Sequence, residues 1–72
     1  PVIYPNPADG SFKIGKQATQ VEVYDILGRK VQQFQGNYPV NQQFDLMPLK
    51  PAVYLVRVSS EQGNSVQRLV IK

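Results

Sequence analysis

The sequence predicts an all-β fold: a small antiparallel β-sandwich of immunoglobulin-like dimensions, with six or seven short strands. Apolar and polar residues alternate over short runs, as in Val21-Glu22-Val23-Tyr24, Phe12-Lys13-Ile14 and Phe44-Asp45-Leu46. That is the period of a strand with one dry face. No stretch shows a convincing 3.6-residue period, and Pro or Gly recurs every few residues, cutting the chain into strand-length pieces.

Seventy-two residues make one small domain at most. Surface scaling gives a folded area of about 4,500 Å² against about 12,000 Å² unfolded, so the core is small and the domain marginal on its own. With no Cys there is no disulfide and no thiolate metal site, and with no His the commonest general base and metal ligand are missing. The longest apolar runs are three residues, too short to span a membrane, and no signal peptide opens the chain. Because it starts at Pro1, residues 1–72 are expected to be a single C-terminal piece of a longer protein.

In order, Tyr4-Pro5-Asn6-Pro7 is an edge strand or an entry segment, because neither proline can donate to a ladder; Val2 and Tyr4 share the side expected to dock on the core. Ala8-Asp9-Gly10 is a turn, and Phe12 and Ile14 face inward on the next strand. Gly15 to Gln20 is a polar connection. The stretch Val21 to Val31 is the central hairpin, with Asp25 holding the turn through its side chain and Gly28 supplying a positive φ at a bulge. Val31 and Phe34 anchor its second strand, which ends at Gln35-Gly36-Asn37. Asn41 to Leu46 is a strand with Phe44 and Leu46 inward. Met47 to Pro51 is a loop, since Pro48 and Pro51 interrupt any ladder. Val53 to Val58 is apolar on both faces apart from Arg57, which reads as a central strand covered on two sides. Ser59 to Asn64 is a polar hairpin loop, and Val66 to Ile71 is the last strand.

Catalytic chemistry is not legible. Ser11, Ser59, Ser60 and Ser65 have no His partner, and there is no nucleophile elbow, P-loop or dinucleotide fingerprint. Asp9, Asp25 and Asp45 fall where turns or strand ends are expected, and no calcium-loop spacing is present. The expectation is therefore no enzyme, no metal and no cofactor. The net charge of +3 comes from scattered Lys and Arg without the aromatic-and-basic stripe of a nucleic-acid binder. Tyr4, Tyr24, Tyr38 and Tyr54 read as core or rim residues.

Four blocks in one order carry a resemblance. They are Tyr4 to Gly10, Val21 to Val31, Asp45-Leu46 with Val53 to Val58, and Gln67 to Lys72. Together they resemble the type A C-terminal sorting domain of type IX secretion cargo from Bacteroidetes, over nearly the whole chain. The resemblance implies a secretion signal fused behind an N-terminal cargo and carrying no catalysis. It implies recognition by the outer-membrane translocon and shuttle proteins, then removal by a sortase that attaches the cargo to anionic lipopolysaccharide. The implied route is the periplasm in transit, then the outer-membrane surface or the medium. Motif positions are Pro5, Asn6, Pro7, Asp25 and Gly28. Translocon contact is expected at Arg29, whose side chain the turn itself does not need, and at Leu69, Val70, Ile71 and Lys72. A terminal strand suits that task, since an exposed edge can add to a partner's sheet and would also allow dimerisation. The family usually has Gly where this chain has Ala52. The alternative is an accessory carbohydrate- or protein-binding module of an extracellular protein, which an exposed aromatic row would favour.

Overall fold

The computed structural model describes residues 3–4, 8–46 and 49–72. The expectations for Val2, Pro5, Asn6, Pro7, Met47 and Pro48 lie outside the described residues. The described residues form seven strands: β1 (Ile3–Tyr4), β2 (Ser11–Ile14), β3 (Ala18–Tyr24), β4 (Lys30–Tyr38), β5 (Gln43–Asp45), β6 (Ala52–Ser60) and β7 (Gly63–Ile71). They make a three-stranded sheet in the order β1-β2-β5 and a four-stranded sheet in the order β4-β3-β6-β7. Every strand pair is antiparallel. The predicted small all-β sandwich is the observed fold, and its 4530 Å² of accessible surface matches the scaling expectation.

The residues the alternation marks as inward, Phe12 and Ile14 of β2, Val21 and Val23 of β3, and Phe44 and Leu46, are buried, and Val56 and Val58 of β6 and Leu69 and Ile71 of β7 are buried with them. Phe44 joins the two sheets: its ring stacks on Phe12 at 5.4 Å and meets Phe34 and Tyr38 of β4 at 4.8 and 5.0 Å. Such clusters of offset and edge-on rings add to the area they bury. Tyr54 is buried and its hydroxyl donates to the Lys50 carbonyl at 2.7 Å, which fixes the loop before β6.

Several boundaries differ from expectation. β3 begins at Ala18, inside the expected polar connection, because Ala18 is buried and pairs with Tyr38. β4 runs through Gly36 to Tyr38, since its pairing with β3 continues there. The β6–β7 loop contracts to Glu61 and Gln62, with Ser60 paired to Gly63, because two strands of nine residues can zip to their ends. On β1 it is Ile3 that is fully buried, while Tyr4 is half-buried with its hydroxyl donating to Asn41 Oδ1. Val31 sits at the register shift opposite Val23 and Tyr24 and stays exposed, so Phe34 and Tyr38 anchor β4 against the core. Ala52 takes an ordinary strand conformation, paired with Ile71, and needs no glycine.

The largest correction concerns β6. It is central in the hydrogen-bonded order but covered on one face only. Val53 and Leu55 are 39% and 43% exposed, and Arg57 lies beside them. A run apolar on both faces reads as doubly buried only if a second layer exists; here no described element covers the outer side.

Candidate recognition surface

The motif hairpin is built around one carboxylate. The Asp25 N–H donates to the Arg29 carbonyl at 2.9 Å, and the Gly28 N–H donates to the Asp25 carbonyl at 3.0 Å. The Asp25 side chain accepts the N–H groups of Leu27 and Arg29, each at 2.9 Å, on Oδ1. Gly28 at φ 84° completes a turn followed by a left-handed residue and a bulge, the usual form of a three-residue hairpin loop. The expected roles of Asp25 and Gly28 are those seen. Arg29 differs: its Nε donates to Asp25 Oδ2 at 2.8 Å, so the turn does use this side chain, although 74% of it stays exposed. The Arg29 N–H, then its guanidinium and the Leu27 N–H, hold the Asp25 carboxyl below the usual carboxylate range. At the tip, Ile26 and Leu27 project into solvent.

Beside the hairpin, on the outer face of the four-stranded sheet, lies a cluster centred on Glu22. It is the one buried charged residue among those described. Lys30 Nζ approaches Glu22 Oε2 at 2.7 Å, the Tyr24 hydroxyl donates to the same oxygen at 3.0 Å, and Arg57 Nη1 lies 3.6 Å from Oε1. The Arg57 guanidinium also sits 5.7 Å from the centre of the Tyr24 ring. Register explains the meeting, since Glu22 is directly opposite both Gln33 and Arg57. The Lys30 ammonium lowers the Glu22 pKa, and Glu22 raises that of Lys30. Sequence reasoning did not single out Glu22, Leu55 or Arg57. The usable signal was that Glu22 is the only charged residue of β3, but its partners depend on strand order.

The terminal strand is less open than expected. Leu69 and Ile71 are buried, so their side chains serve the core; Val70 is half-buried and Lys72 exposed. The strand's outer edge is engaged near its end. The Ala8 N–H donates to the Val70 carbonyl at 2.7 Å, and the Lys72 N–H donates to the Ala8 carbonyl at 3.0 Å, a parallel bridge. Farther back, the Ile3 N–H donates to Gln67 Oε1 at 3.2 Å. At the end of the chain two main-chain groups expected to recruit a partner's strand, the Val70 carbonyl and the Lys72 N–H, are thus taken by Ala8. Arg29 and Lys72 are not brought into one cluster: the former closes the hairpin and the latter follows β7. No group of three or more metal-ligating side chains occurs among the described residues.

Fold and site together define a small all-β module distinguished by a motif hairpin and a packed terminal strand. The chain belongs to the secretion system C-terminal sorting domain family, whose model matches residues 2–72. This is a family of type IX secretion signals and not of enzymes, and membership implies a cargo fused to the domain, interaction with the translocon, and export to the cell surface or beyond. A search of curated proteins found no match.

Proposed function

We propose that residues 1–72 are the sorting domain of a longer secreted protein, read from the periplasmic side by the type IX translocon and its shuttle proteins. A surface sortase then removes the domain and joins the cargo to anionic lipopolysaccharide. The domain itself catalyses nothing. The observation that carries this reading is the family match across nearly the whole chain, motif hairpin and terminal strand included. Contact falls to Arg29, Val70 and Lys72, which retain exposed surface, while Leu69 and Ile71 act by seating β7 in the core. Pro5, Asn6 and Pro7 belong to the segment that leads to Ala8 and so to the bridge on β7.

The test is an export assay in a Bacteroidetes host with a type IX system. Residues 1–72 are fused behind a fluorescent reporter carrying an ordinary signal peptide, with a second fusion lacking Val70 to Lys72. Surface or medium delivery of the first and periplasmic retention of the second is the expected result. Retention of both, with the domain folded, overturns the proposal.

A further inference from the structure

The charge of this chain is segregated. Lys30, Arg57 and Arg68 stand on the outer face of the four-stranded sheet, and Arg29 and Lys50 border its hairpin end. The carboxylates in that region are Glu22 and Asp25, whose side chains are only 7% and 15% exposed and are turned into ion pairs. Five cations against two carboxylates leave +3, the whole net charge; elsewhere Lys13, Lys16 and Lys72 balance Asp9, Asp45 and Glu61. Between the cations lie apolar side chains in cross-strand rows: Leu55 opposite Arg68, Arg57 opposite Val66, and Val53 opposite Val70. Val66 is 62% exposed. Isolated exposed apolar residues are ordinary, but a continuous set framed by a single sign of charge has the composition of an interface.

We infer that this outer face docks on an acidic, apolar-centred protein surface of the export machinery, an inference that rests on the sorting-signal reading. Charge complementarity selects the occupant. A second copy would set +3 against +3, which opposes pairing through this face. A lipid bilayer takes up apolar groups that project past the charges, whereas Leu55 and Val66 stand beside the longer side chains of Arg57 and Arg68 on the same face. A protein surface carrying carboxylates around an apolar centre matches both features, and the steering charge would speed the encounter. This surface also leaves the bridged edge of β7 undisturbed.

The reporter fusion described above is exported with three changes compared. Arg68→Glu with Val66→Glu places two carboxylates on the face; Arg68→Gln with Val66→Gln is the milder pair; Lys13→Glu with Lys16→Glu alters charge comparably away from it. Thermal melts of each purified domain check the fold, and if the first pair unfolds the second carries the comparison. In parallel, a photoreactive benzoylphenylalanine replaces Leu55, and the crosslinked peptide is sequenced. The inference expects at least a tenfold export loss for the first pair or threefold for the milder one, less than twofold for the lysine pair, and an adduct on an Asp/Glu-rich segment of an outer-membrane export protein. Equal losses for both sites, no loss on the outer face, or an adduct on lipid or on a second copy overturns it. If the unaltered fusion itself fails to leave the periplasm, it is the sorting-signal reading that fails.

Discussion

The two faces of the four-stranded sheet are made by the same strands and obey different rules. On the inner face Val21, Val23, Val56, Val58 and Leu69 are fully enclosed, and alternation is strict. On the outer face Glu22, Tyr24, Leu55, Arg57 and Val66 mix charge, aromatic and aliphatic groups, with ion pairs in place of close packing. Stability in so small a domain depends on the first face, because each lost methylene there also leaves a cavity. The second face carries little of it and is free to vary in what it presents.

The largest effect should come from the enclosed face. Leu69→Ala is expected to cost about 3 kcal/mol, enough to leave a marginal domain largely unfolded at 25 °C. Leu55→Ala, which removes a side chain already 43% exposed, should cost about 1 kcal/mol or less. Urea unfolding of the 72-residue chain, followed by far-UV circular dichroism, measures both. Equal costs would break the comparison and mean that the outer face is packed in solution. Gly28→Ala comes next, at about 1 to 2 kcal/mol, from the left-handed backbone alone. A Cβ at Gly28 meets nothing within 4 Å, so a null result in the same titration would show the turn adopting another conformation.

The outer ion cluster should give a smaller effect, visible as pH dependence. Glu22 and Asp25 have depressed pKa values in the fold, so their contribution is complete above the unfolded values near ~4 and is lost as pH falls through the lower folded ones. Lys30 is raised, so its contribution holds below about 10.4 and is lost as pH rises through the folded value. Glu22→Gln should therefore lower the urea midpoint at pH 7, flatten the decline between about pH 5 and 3, and remove most of the alkaline decline. An unchanged acid limb would assign it to Asp25 instead.

How much of this was readable in sequence depends on range. The Asp25 and Gly28 turn was legible because its bonds close within five residues. Phe12, Ile14, Phe44 and Leu46 were placed inward correctly because period 2 depends only on neighbours. The open side of β6 was not, since Val53 and Leu55 look the same whether or not a second layer lies over them. Nor was the engaged edge of β7, which requires Ala8 to lie beside Ile71 across most of the chain length. Glu22 was likewise invisible as a hub, because Lys30 and Arg57 reach it only through the order β4-β3-β6.

The smallest stability effect separates folding from recognition most cleanly. Leu55→Thr places a strand-favouring, β-branched side chain on an exposed position and gives up only part of an aliphatic surface that is already wet. Its cost should stay within about 0.5 kcal/mol, a shift of roughly 2–4 °C in melting temperature for a domain of this size. The Leu55 position is bracketed by Tyr24 on one strand and Arg68 on the other, so it lies near the centre of the outer rows. A central apolar anchor matters to binding out of proportion to its effect on folding. The expected combination is a nearly unchanged melt and a several-fold fall in export of the reporter fusion. A melt that drops as far as that of Leu69→Ala would make the outer face a second core; an unchanged melt with unchanged export would leave it as solvated surface.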